Sequence, residues 1–194
     1  MKSLNETQLM WLEIIYRVIT TPRFDLKKGD LNYVLLNMLA KHTSSADCYY
    51  VSEGVKTLIM TDAILSHAFA QNAPANLRKL FYGKESRAAH LGHPTMFEHS
   101  IPTAVLRNEL LLVRQRYVEK QISQNDAHNE TKKILENCGE VIIVLKEENK
   151  RLAKSSMPTG WEFGRDCPFA RYDAANPPVK ISNLLAYRDE SICR

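Results

Sequence analysis

The run Val141-Ile142-Ile143-Val144-Leu145 constrains this chain more than any other feature. It has the length of a strand, β-branched residues dominate it, and Gly139 precedes it. Such side chains lose rotamer freedom in a helix and pack well on a pleated surface. A strand that is apolar at every position must be covered on both faces, so the run predicts a buried, central strand. It is the only β-branched run in a chain otherwise patterned at helical period.

Around it the periodicity is that of amphipathic helices. Leu9, Leu12, Ile15, Tyr16 and Ile19 place a helix over residues 5–20, and Pro22 ends it. Val34, Leu35, Met38 and Leu39 place a second over 30–41. Ser52 is a candidate cap for a third, which continues or restarts at Thr61. Pro74 suits the first turn of a short helix over 74–81. Pro102 opens the clearest helix, 103–121, and another fits 125–137. Between 83 and 99 the periodicity fails, in a stretch with Gly83, Gly92, Pro94 and the histidines His90, His93 and His99. This reads as a loop leading into a short strand at 96–101. The pattern predicts a mainly α protein with a small β element, an α+β arrangement of helices around a two- or three-stranded sheet. Its 194 residues suit a single domain. Within it, 1–82 is a helical half, 83–154 the candidate active-site region, and 155–194 an irregular aromatic and basic tail packed on the body.

Hydrophobic residues make up 44% and charged residues 25%, enough for a core without metal or disulfide staples. The net charge of +4 permits nucleic-acid binding without demanding it. Cys48, Cys138, Cys167 and Cys193 form no CxxC pair, which argues against a structural zinc. Residues 1–8 lack the pattern of a signal peptide, and no apolar run has membrane-spanning length. The expectation is a cytoplasmic protein with reduced thiols and no membrane partner. The absence of a phosphate loop, of GxGxxG and of GxSxG argues against a nucleotide-driven motor, a dehydrogenase and a serine hydrolase.

Four groups of residues carry chemistry. Glu98-His99, followed by Pro102, pairs a carboxylate that can hold a divalent ion with an imidazole that can take a proton from water. Adjacent strand residues point to opposite faces, but twist or a bulge at a strand end can turn both toward one site. At the step from strand to helix, Glu147, Glu148 and Asn149 offer oxygen ligands on rigid backbone, or else serve the helix dipole. Arg87, His90 and His93 sit in the aperiodic loop. Arg165, Arg171, Tyr172 and Lys180 in the tail join cations to aromatic rings, as a phosphate clamp or a surface cation over a ring does.

The segments FEHSIP and VIIVLKEEN together resemble the HNH (ββα-metal) nucleases. The resemblance implies a first strand bearing the acid-histidine pair and a second strand leading into a helix with another metal ligand. On that pattern Glu98 with Glu148 or Asn149 holds Mg²⁺ or Mn²⁺, and His99 activates water. The helices between the strands form a large insertion, and the usual second histidine is missing. Arg87 and His93 separately have the RxxxxxH spacing of HEPN ribonucleases, which implies a metal-independent RNase.

The expected function is therefore a metal-dependent nuclease of DNA or RNA, of the kind found in defence, restriction or toxin systems. Arg87, Lys150 and Arg171 would contact phosphates. The alternatives are the metal-independent RNase and a non-enzymatic helical adaptor or nucleic-acid-binding regulator. A second copy of the chain or another protein stays open as a partner.

Overall fold

In a computed structural model of the chain, residues 4–24, 29–45, 49–71, 74–136 and 140–182 are described. Cys48, Cys138, Cys193 and the tail beyond 182 lie outside them. Cys167 is disulfide-bonded, a departure from the expected reduced thiols. Among the described residues no helix is long and apolar enough to cross a membrane.

The fold is mainly helical with one small mixed sheet. Two helices, α1 (Glu6–Thr20) and α2 (Gly29–Ser44), precede strand β1 (Tyr49–Ser52). Four follow it: α3 (Glu53–Thr61), α4 (Ala63–Gln71), α5 (Pro74–Phe81) and α6 (Arg87–His90). Strand β2 (Thr95–His99) then leads through Pro102 into α7 (Thr103–Val118) and α8 (Gln124–Glu136). Strand β3 (Val141–Leu145) runs directly into α9 (Lys146–Asn149), and α10 (Ala170–Asp173) and β4 (Ile181–Ser182) complete the order.

Local chemistry sets the boundaries. Asn5 caps α1 in a capping box with Gln8. Ser52 caps α3 by accepting from the Val55 N–H. Asp62 interrupts what would be one long helix, accepting from the N–H groups of Ile64 and Leu65 at the start of α4.

The sheet order is β2-β3-β1-β4. β3 lies between β2, to which it is antiparallel, and β1, to which it is parallel. Its position explains its composition. Val141 and Ile143 pack beneath α3–α6 with Val51, Val55, Phe69 and Phe81. Ile142 and Val144 pack on the other face with Leu152, Phe169, Tyr172 and Val179 from the C-terminal segments. A third cluster joins α1, α2, α7 and α8 through Leu12, Ile15, Leu35, Leu39, Leu106, Leu110 and Leu135, with Trp161 and Phe163 packed against it. The sheet has four strands where two or three were expected. β1 is too short to show a period, and β4 is two residues held by pairing with β1 and by the Glu53 N–H donating to the Lys180 carbonyl.

Candidate functional site

The register of β2 on β3 decides where the acid-histidine pair points. Thr95 faces Leu145, Glu98 faces Ile142 and His99 faces Val141. Met96 packs on the Ile142 face and Phe97 on the Ile143 face. Alternation then places Glu98 on the first face and His99 on the second. No bulge interrupts the ladder from Thr95 to His99, so Glu98 and His99 do not turn toward one site.

The Glu98 carboxylate is engaged in the fold. Its Oε2 accepts from Arg171 Nη2 at 2.9 Å. Arg171 also donates from Nη1 to the Ala153 carbonyl at 2.8 Å and from Nη2 to the His99 carbonyl at 2.5 Å. Tyr172 Oη donates to the same carbonyl at 3.1 Å, and the guanidinium lies 5.1 Å from the Tyr172 ring centre. The Arg171 side chain is 2% exposed and that of Glu98 24%. A cation so deep is tolerated in the fold only with such partners. Arg171 thus ties the irregular C-terminal segment to β2, and nucleic acid cannot reach it as a phosphate contact. Burial raises the Tyr172 phenol well above its usual range, so it is neutral and a donor.

His99 is largely buried, and desolvation, helped by the Arg171 charge, lowers its pKa to about 4. Its imidazole is neutral at physiological pH. Nδ1 is buried without a hydrogen-bond partner, as are Ser100 Oγ and Arg171 Nε nearby in sequence or contact. A neutral imidazole can bind a metal or accept a proton, though a base of such low pKa has little driving force to take one.

The second half of the expected metal site lies at the other end of the strands. Glu148 Oε2 accepts from the Leu145 N–H at 2.8 Å and from Ser52 Oγ at 2.5 Å. Leu145 faces Thr95, four residues from His99, which is about 13 Å along a strand. The antiparallel register therefore separates Glu148 and Asn149 from Glu98 and His99. Glu148 reinforces the junction of β1 and β3, and its other oxygen lies 2.8 Å from where a Cβ on Gly54 would stand. Among the described residues no three His, Cys, Asp or Glu side chains gather as ligands for a metal.

The other cationic candidates are paired with acids, and His93 stands in solvent. Arg87, which begins α6, donates from Nε and Nη2 to Asp62 Oδ2 at 3.1 and 2.5 Å. That contact raises its pKa and lowers that of Asp62. His93 is exposed at the end of the same turn, where its N–H donates to the Ala88 carbonyl. Lys150 is exposed and pairs with Glu147 at 2.8 Å. Arg165 pairs with Glu162 and Asp166.

A different surface forms where β2 begins. Tyr82 bridges to Thr95, and the Lys146 N–H donates to the Pro94 carbonyl at 2.8 Å. This brings the end of α5, the turn at Gly83, residues 93–95 and the start of α9 to one edge of the sheet. Arg78, Lys84, His90, His93, Lys146 and Lys150 on or next to these segments are all exposed. Glu85 and Glu147 are the exposed acids of those segments, each drawn to a neighbour, His90 and Lys150. The sequence held a signal for this edge, Arg78 and Tyr82 at i, i+4, but the tail drew the cation-aromatic reading instead. No protein-family model, curated protein or solved structure matches the chain.

Proposed function

We propose that this protein is a nucleic-acid-binding regulator that acts through the cationic edge beside Tyr82, with Glu98 and Arg171 serving the fold. One observation carries the reading. Glu98, Glu148, Arg87 and Arg171, on which nuclease chemistry would draw, are engaged in internal contacts, whereas Lys84 and Lys146 are exposed and form no ion pair among the described residues, Lys146 acting only at longer range on Glu147. Unspent cations on one edge supply the counterion-releasing contacts from which nucleic-acid affinity arises.

The test is fluorescence anisotropy with a labelled oligonucleotide at stepped salt, with the same samples examined for cleavage. Binding should weaken steeply as salt rises, and the oligonucleotide should stay intact in Mg²⁺ or Mn²⁺. Absence of binding at low salt sinks the proposal.

A second reading keeps His99 as the centre of a nuclease acting on DNA or RNA. What favours it is the buried, unpartnered Nδ1 on a neutral ring. Under that reading cleavage requires Mg²⁺ or Mn²⁺, stops in EDTA, and is abolished by His99→Ala without loss of the fold. Cleavage that persists in EDTA and is lost on Arg87→Ala or His93→Ala would point instead to the metal-independent RNase.

A further inference from the structure

We infer that Tyr82 is a stacking platform for an unpaired base, so that the edge takes single-stranded rather than duplex nucleic acid. This rests on the nucleic-acid reading above and names its substrate class. Tyr82 follows the last residue of α5 and is 52% exposed. Its backbone bridge to Thr95 fixes its place at the sheet edge. The Arg78 guanidinium lies 5.2 Å from the ring centre. Phe97, on β2, meets the ring at 5.7 Å and 61°, an edge contact. The Arg78 cation over the ring and the edge contact with Phe97 hold the ring in place, while about half of the residue's surface stays exposed to solvent. A held ring loses little entropy when a base stacks on it, and every base has a face to stack.

The charges beside it suit a strand of phosphates. Lys84 is two residues beyond Tyr82. Lys146 follows Leu145, which is paired to the same Thr95 that Tyr82 bridges. Two strand spacings put the Tyr82 and Leu145 backbones about 10 Å apart, with the two lysines just beyond them. A duplex hides its base faces within the stack and offers Tyr82 only its backbone. A single strand offers phosphates to Lys84 and Lys146 and a base to the ring together.

The experiment compares a labelled single strand, its duplex and vesicles containing phosphatidylserine, each titrated with the full chain and with Tyr82→Ala and Tyr82→Phe. The wild type should prefer the single strand. Tyr82→Ala should weaken that binding about 5- to 100-fold, with little change in duplex binding. Tyr82→Phe keeps the ring and should restore most of the affinity. Thermal melts of both variants establish that the fold is kept. Equal binding of single strand and duplex, unmoved by Tyr82→Ala, overturns this inference and leaves the nucleic-acid reading standing. Tighter binding to the vesicles than to either oligonucleotide overturns both, as does no binding of nucleic acid by the wild type.

Discussion

The two ends of β2 are built from similar residues and put them to opposite uses. At the His99 end, a carboxylate, a guanidinium, a phenol and an imidazole lie within the body, and three of them are tied by hydrogen bonds to one another or to a carbonyl. At the Thr95 end, lysines, histidines and Tyr82 stand in solvent with few partners. The difference teaches that residue type alone does not locate function. A charged group acts on a ligand only when its charge is not already spent, and burial with a partner spends it.

The largest expected effect separates the two ends by stability. Glu98→Ala leaves the buried Arg171 guanidinium with carbonyl partners but no counter-charge, which costs up to about 3–5 kcal/mol. For a chain of this size that lowers Tm by up to about 6–20 °C. Arg171→Ala, which takes the donor from the Ala153 carbonyl and leaves the His99 carbonyl only Tyr172, should do at least as much. Lys84→Ala and Lys146→Ala should leave Tm within about 2 °C, as surface changes do. A melt in which Glu98→Ala is as stable as the wild type would break the contrast.

Acid sharpens it next. His99 and His42 are both neutral in the folded protein, each with its pKa lowered to about 4, in both cases chiefly by desolvation. In the unfolded chain each takes up its proton near pH 6.5. Between those values the unfolded state binds more protons, so stability rises with pH there. The contribution is intact above about pH 6.5 and is lost as pH falls toward 4, on the order of 2–3 kcal/mol for each histidine. Denaturant melts of wild type and His42→Leu at pH 7 and pH 4.5 check this. The variant should lose markedly less stability between the two pH values.

A smaller effect probes the strand junction. Gly54→Ala puts a methyl 2.7 Å from Leu145 Cδ1 and 2.8 Å from Glu148 Oε1. Overpacking of this kind costs about 1–3 kcal/mol, and urea unfolding should show it as a lower midpoint at unchanged slope. The smallest effect lies at the exposed edge, where Lys84→Ala should reduce the salt dependence of oligonucleotide binding by about one phosphate contact.

The parts of the fold legible in sequence are those where one local signal is strong. The apolar run of β3 announced a central strand, and Ser52 caps a helix where the sequence places one. β1 and β4 were not legible, because four and two residues show no period and are held by pairing partners distant in sequence. α6 was read as loop, since its four residues depend on the Ser86 cap rather than on an apolar stripe. The acid-histidine pair was visible, but its environment depends on Arg171, far along the chain, and on a register that no local pattern encodes. Tyr82 and Lys146 become neighbours only through Thr95 and Pro94, so their edge exists only in the folded chain.

The central claim is that nucleic acid is met at the Tyr82 edge and not at Glu98-His99. The most direct measurement is the affinity for one labelled single-stranded oligonucleotide, taken at a single moderate salt concentration with cleavage followed in the same tubes. It is made on wild type, on the double variant Lys84→Glu with Lys146→Glu, and on His99→Ala, each shown by melting to be folded. The double charge reversal should lower affinity at least about tenfold, since two phosphate contacts become repulsions. His99→Ala should bind as the wild type does, and no sample should cut the strand. Undiminished binding by the double variant, together with cleavage that disappears in His99→Ala, would contradict the claim.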